Sequence, residues 1–303
     1  MADIHEMDLE EGMHEIDPTP EVDIEAEAPG YNEKRPTLSR STTNALGISH
    51  SSTIYYLTAV QRYSSYVFSA FGVMHIVNTS IMPLVTQSVP ASEKYMLLTR
   101  PYYGSPLAEP LIVLIPMWAH VLSGLALRIY KRNLNARRYG ESYSKENQKS
   151  FLVKFWPHLS TVSKLGYQFV PLIVGHMVIN RVIPKLYNGS AIDLGYVSHA
   201  FAKHPAVSYA GFAALIGIGT FHITWGWAKW LKFTPIQATG TGAERESRKK
   251  RRRYIINGVA AAVAGLWMAG SFGIVAKGGA APGWIGKQYD EMYKMIPVVG
   301  NWI

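Results

Sequence analysis

The chain has 303 residues, is 48% hydrophobic, carries a formal charge of +9 and contains no cysteine. Without thiols there can be no disulfide framework, no Cys-ligated metal site and no iron–sulfur cluster. Residues 1–30 hold eleven Asp or Glu and no Lys or Arg, so all thirty bases follow an acidic N-terminus. A basic excess of this size suits nucleic acid or an anionic membrane surface, and the long apolar segments described below favour the membrane over nucleic acid.

Residues 1–54 have few apolar residues and include Pro18, Pro20, Pro29 and Pro36. Such a segment cannot bury enough surface to offset its ordering entropy, which predicts a disordered acidic arm. A random coil of that length reaches about 40 Å. The arm carries the stretch MHEIDPTPEVD, Met13 to Asp23. Its start has neither the basic-then-apolar pattern of a secretory signal nor the Arg-rich, acid-poor composition of a matrix presequence. Targeting is therefore expected to reside in the membrane spans.

Five apolar stretches follow, at about 63–85, 109–130, 166–187, 208–231 and 254–276. Each approaches the roughly 20 residues that a helix needs to cross a hydrocarbon core of about 30 Å. The ends "RIYKR" and "WAKWLK" place aromatic and basic residues where headgroups would lie. The connection from 128 to 164 holds nine Lys or Arg, and the connection from 229 to 253 ends in RKKRRR, Arg248 to Arg253. The positive-inside bias puts the N-terminus and both basic connections in the cytosol. The hexad reads as a juxtamembrane anchor on a bilayer with anionic headgroups.

The first and third stretches align at an offset of 101, pairing Tyr66 with Tyr167, Phe68 with Phe169, His75 with His176 and Pro83 with Pro184. The second and fourth align at 102, pairing His120 with His222 and Gly124 with Gly226. Two offsets one residue apart predict a duplicated two-helix unit. The expected fold class is an all-α integral membrane protein with five transmembrane helices: two parallel two-helix repeats plus one extra helix. The extra helix is rich in small residues, including Gly258, Ala262, Gly265 and Gly270, and is expected to pack along the other four. The resulting boundaries are the arm (1–54), repeat one (55–135), a basic loop (136–163), repeat two (164–233), a second basic loop (234–253) and the fifth span with its tail (254–303).

The four in-register histidines, His75, His120, His176 and His222, fall mid-span, where ionisable side chains normally face the bundle interior. Neutral imidazoles facing one another between helices suit axial ligation of haem b. Pairing within repeats (His75 with His120, His176 with His222) would give one haem per repeat, whereas pairing across repeats would give a shared site. A second reading gives these histidines interhelical hydrogen bonds to Asn78, Asn180, Ser123 or Thr224. No metal site other than haem iron is expected, because the spans hold almost no carboxylates.

The in-register histidines, the "AHVLSGLALRIYKR" and "FHITWGWAKWLK" helix ends, and an acidic tail with Pro18-Thr19-Pro20 together resemble the fungal MDM-ten-complementing family of mitochondrial outer-membrane adaptors. The resemblance implies a multi-pass protein of the mitochondrial outer membrane with a cytosolic N-terminus. It implies that the protein recruits a bridge-like lipid-transfer protein of the VPS-thirteen class, supporting vacuole–mitochondria contact and mitochondrial lipid homeostasis. The family's recruiting peptide is a Pro-x-Pro preceded by hydrophobic residues, which corresponds to Met13, Ile16, Pro18 and Pro20. A proline-restricted extended peptide on a flexible arm can lie along a sheet edge and fill alternate pockets. The His-x-x-x-Gly elements also resemble the cytochrome b anchor subunits of succinate dehydrogenase, which implies haem at His120 and His222. The alternative function is thus a membrane b-type cytochrome or quinone-linked oxidoreductase, and a third is a lipid-handling scaffold. No Ser-His-Asp array, phosphate loop or paired intramembrane carboxylates supports a hydrolase or kinase.

Overall fold

The computed structural model describes residues 49–147, 160–189, 192–297 and 300. Among them the secondary structure is helical, without a β-strand. The first apolar stretch becomes α1 (His50–Ile76), a π-helical turn (Val77–Ile81) and α2 (Met82–Thr86). The second becomes a π-helical turn (Glu109–Leu114) followed by α4 (Ile115–Asn147), with α3 (Val89–Gly104) lying between the two stretches. The third comprises α5 (Thr161–Met177), a π-helical turn (Val178–Val182) and α6 (Ile183–Asn188). After α7 (Leu194–Lys203) come the fourth, α8 (Pro205–Trp230), and the fifth, α9 (Gly242–Gly273); α10 (Gly283–Lys294) closes the chain.

Five helical segments are long and apolar enough to cross a membrane: His50–Thr86, Glu109–Leu134, Thr161–Tyr187, Pro205–Gln237 and Gly242–Lys277. Most of them extend beyond the expected stretches at the N-terminal end, because polar residues continue the helix past the apolar window. The basic hexad Arg248–Arg253 accordingly lies on the early turns of α9 instead of in an irregular connection. Side-chain polarity is inverted relative to a water-soluble helical protein. Asn78, Ser80, Ser123 and Thr220 are buried, whereas Val73, Leu122, Ile129 and Val259 are exposed. Apolar surface turned outward over five such helices belongs against lipid.

Local chemistry sets where the helices start and bend. Ser88, Ser160 and Asp193 cap α3, α5 and α7, each accepting a main-chain N–H from three residues on. Pro83 and Pro184 follow the π-helical turns at 77–81 and 178–182 as the second residues of α2 and α6. A proline inside a continuous helix lacks a donor and strikes the preceding turn, and a π-helical turn beside it lets the axis continue.

The described chain forms two compact units, and the division falls inside α1 and inside α4. In the unit made of residues 49–63 and 119–147, His50 hydrogen-bonds Tyr130, and Gly124 approaches Gln61 so closely that an added Cβ would lie 2.6 Å from Gln61 Nε2. In the larger unit α9 packs on α8 and on the π-helical turn at 77–81. Gly270 makes the second contact possible, since a Cβ there would lie 2.2 Å from the Ser80 main-chain oxygen. Ser80 Oγ donates to Leu266 O at 2.7 Å, Trp267 Nε1 to Thr79 Oγ1 at 3.2 Å, and Trp225 Nε1 to Asn257 Oδ1 at 3.0 Å. The fifth span thus packs through a small residue and polar side chains, as low-dielectric surroundings favour.

Within the same unit, the segments between spans add a layer that the apolar windows did not reveal. Ile183, Tyr196, Tyr289, Met292 and Tyr293 form a shared core from α6, α7 and α10. Tyr293 Oη donates to Tyr196 O at 2.6 Å and Tyr289 Oη to Asp193 Oδ1 at 2.9 Å. Burial pushes all three tyrosine hydroxyls well above their ordinary pKa, so each remains a hydrogen-bond donor.

Candidate functional site

His75 and His176 stand at equivalent places: each is the penultimate residue of its α-helix, with a π-helical turn following. π-helical turns inside α-helices often occur at functional sites. In both helices the side chain four residues on returns a hydrogen bond to the histidine carbonyl. Thr79 Oγ1 donates to His75 O at 2.7 Å, and Asn180 Nδ2 donates to His176 O at 2.9 Å.

The two rings face one another with centroids 5.9 Å apart and planes at 75°. Phe71 stacks on His75 at 5.5 Å, and Trp267 meets its edge at 6.1 Å. On the other side Phe212 abuts His176 at 5.7 Å. Asn180 Nδ2 also donates to His176 Nδ1 at 3.2 Å, which places the proton of a neutral His176 on Nε2. The pair therefore joins the first and third spans inside an aromatic shell.

His120 and His222 behave differently. His120 donates Nδ1–H to Gln61 O at 2.9 Å, and His222 donates Nδ1–H to Val162 O at 3.0 Å. Gln61 and Val162 are themselves 101 residues apart. A ring whose Nδ1–H is given to a carbonyl carries its lone pair on Nε2. His222 is seated by Gly166, where a Cβ would lie 2.9 Å from its Cε1, and by Phe169 at 6.0 Å. Gly124 faces the Gln61 side chain, whereas a Cβ added at Gly226 would meet nothing within 4 Å.

No group of three or more His, Asp or Glu able to hold a metal ion occurs among the described residues. The ligand set of a structural zinc is thus not assembled there. Of the pairings open to the four histidines, the structure brings His75 and His176 together, with the two rings edge to face.

Sequence reasoning missed an ion pair between spans. Arg181 clasps Glu109 bidentately, Nε to Oε1 at 2.5 Å and Nη2 to Oε2 at 2.6 Å. Part of its signal was present: Glu109 is the one acid in its apolar stretch, and an acid there calls for a basic partner. Also missed was His199, which is buried, accepts Ala281 N–H at Nδ1 (3.0 Å) and donates Nε2–H to Asp290 Oδ1 (2.9 Å). That hydrogen bond holds the Asp290 carboxyl below the usual carboxylate range. In the basic hexad Arg248 pairs with Glu244, Lys249 pairs with Glu246, and Arg252 donates to Thr234 O and lies over the Phe233 ring. Met13, Ile16, Pro18 and Pro20 lie outside the described residues.

Five apolar helices with outward apolar faces and inward polar ones define a multi-pass α-helical membrane protein. Residues 171–280 are similar to the family model described as MDM10-complementing protein 1, transmembrane domain. The matched stretch includes His176, Arg181, His199 and His222 and runs through the fourth and fifth spans. No curated protein and no solved structure matches the chain.

Proposed function

We propose that this protein is a mitochondrial outer-membrane adaptor that recruits a VPS-thirteen-class lipid-transfer protein through its N-terminal arm. The observation that carries this reading is the similarity of residues 171–280 to the MDM10-complementing protein 1 transmembrane domain. The acidic arm, with Met13, Ile16, Pro18 and Pro20, supplies a proline-restricted peptide in the cytosol, and its carboxylates steer it toward a basic groove. The Arg248–Arg253 segment adds an anchor on anionic headgroups. The test is localisation of the lipid-transfer protein in cells expressing the chain with Pro18→Ala and Pro20→Ala. Loss of its mitochondrial pool, with the variant still membrane-inserted, supports recruitment; an unchanged pool refutes it.

A second reading concerns the bundle, which we read as a duplicated pair of helices holding haem b. The 101-residue spacing of the π-helical turns, and of the carbonyls that receive Nδ1–H from His120 and His222, supports the duplication. The 5.9 Å separation of His75 and His176 supports ligation across repeats. His176 can serve through Nε2 when the Asn180 amide turns its Oδ1 toward Nδ1–H. A haem held there would supply one-electron transfer. Oxidised and reduced spectra of the purified protein decide the matter. A b-type α band lost on His75→Ala and on His176→Ala is expected, and its absence from the parent protein overturns the reading.

A further inference from the structure

The helix α3 turns large apolar side chains outward. Its 16 residues join the first span to the second. The side turned toward the rest of the protein buries Met96 together with polar residues: Ser92 is fully buried, donating to Ser88 O at 2.7 Å and sharing a hydrogen bond with Thr86 Oγ1 at 2.7 Å. Thr99 Oγ1 accepts from Asn78 Nδ2 at 2.7 Å, and Arg100 Nη2 donates to Ile192 O. The side turned away is apolar and aromatic. Tyr95, Leu97, Leu98 and Tyr102 are all exposed, Leu98 to 72% and Tyr102 to 68%.

A helix resting on a water-facing surface would show the opposite pattern, because Ser, Thr and Arg gain from hydration while Leu and Tyr rings do not. Exposed apolar residues of the flanking spans precede and follow the outward strip in the chain. Val85 ends the first span and Leu111 and Ile115 begin the second, all three exposed. Tyr95 and Tyr102 are amphipathic, and Lys94 stands exposed beside Tyr95, which is the residue set of a headgroup boundary. By contrast, α10 exposes Trp284 and Ile285 in its first turn but turns the charged Lys287, Glu291 and Lys294 outward along the rest of its length.

We propose that α3 lies in the plane of the bilayer, sunk into the leaflet opposite the Arg248–Arg253 segment. Its Tyr95, Leu97, Leu98 and Tyr102 side chains sit among the lipids, and Lys94 reaches the headgroups. The side follows from the order of the spans: α3 connects the first to the second, while the hexad leads into the fifth. The occupant is the leaflet itself, because α3 directly joins two membrane-spanning segments that expose apolar residues on either side of it, while Ser92, Thr99 and Arg100 are hydrogen-bonded inward.

The absence of cysteine makes the test direct. Full-length protein carrying Leu98→Cys, Tyr102→Cys or Lys287→Cys is labelled with bimane and placed in phosphatidylcholine nanodiscs, which expose both membrane faces to water. At Leu98 and Tyr102 the expected result is a blue-shifted emission, quenching by doxyl-labelled lipid and loss of quenching by iodide. At Lys287 iodide should quench and lipid should not. If the two α3 probes respond to iodide as the Lys287 probe does, the helix faces water and the proposal fails. If they are screened from both quenchers, a protein surface or a second copy covers the strip, and it fails equally. Two probe positions a turn apart guard against one variant misfolding, which is detected by its gel-filtration profile.

Discussion

Arg181 grips both carboxylate oxygens of Glu109, joining a π-helical turn of the third span to the π-helical turn that opens the second. Removing one partner leaves the other charge in partly desolvated surroundings, the situation in which single substitutions cost most. Glu109 is 16% and Arg181 32% exposed, which tempers the effect. Glu109→Gln or Arg181→Leu should each lower stability by about 1–3 kcal/mol. The double variant should lose less than the sum, as a double-mutant cycle of thermal unfolding in detergent will show. Additive losses would mean that the pair is not coupled.

Gly270 and Gly265 lie on the same helix but should behave differently. A Cβ at Gly270 would strike main-chain atoms of Ser80, which cannot swing aside, whereas a Cβ at Gly265 meets nothing within 4 Å. Gly270→Ala should destabilise by about 1–3 kcal/mol or more through forced separation of α9 from the first span. Gly265→Ala should be neutral or stabilise by up to about 1 kcal/mol through helix propensity. Melting temperatures of the two variants, measured side by side, check the contrast.

His222 depends on Gly166 for its seat. Gly166→Ala should displace the ring and weaken its hydrogen bond to Val162 O, at a cost of about 1–2 kcal/mol. Gly175→Ala, where a Cβ meets nothing within 4 Å, is the matched control. An imidazole resonance of His222 that shifts in the first variant and not in the second is the expected observation.

Glu93 supplies a pH dependence. Burial pushes its carboxyl up to about 7, the Asp193 charge adds to the rise and Arg100 opposes it. Asp193 also receives the Tyr289 hydroxyl, so the carboxylates of Glu93 and Asp193 and the Arg100 guanidinium share one neighbourhood. Since the native state holds the Glu93 proton more tightly than the unfolded chain does, this contribution to stability is full below about pH 4.5. It declines as the pH rises and is lost above about 7. Glu93→Gln should remove that decline and raise stability at pH 8 by ~1 kcal/mol, after allowance for solvent screening. Thermal unfolding of both proteins between pH 5 and pH 8 gives the comparison; parallel curves would contradict it.

Much of the membrane architecture was legible in the chain. Apolar length marked the five spans, whose expected ends at 85, 130, 187, 231 and 276 lie near the observed ends at Thr86, Leu134, Tyr187, Gln237 and Lys277. Register identified His75 and His176 as counterparts because the same side chains recur 101 residues apart. The helices α3, α7 and α10 were not legible, since they are short, mixed in polarity and, in α3, patterned oppositely to a water-facing helix. Glu109 was visible as the one acid in its stretch, but nothing in the sequence said that Arg181, 72 residues on, would be its partner.

The sequence by itself determined that the chain is a helical membrane protein, because a run of about 20 apolar residues has no other stable way to satisfy its backbone in hydrocarbon. Only the tertiary structure decided which histidines face one another. His75 and His176 are joined by the rotation of two helices about their axes, and that rotation is set by close contacts such as Gly270 on Ser80 and Trp267 on Thr79. Helical periodicity says which residues share a face of one helix, and the partner helix is chosen by packing, which a linear pattern does not encode.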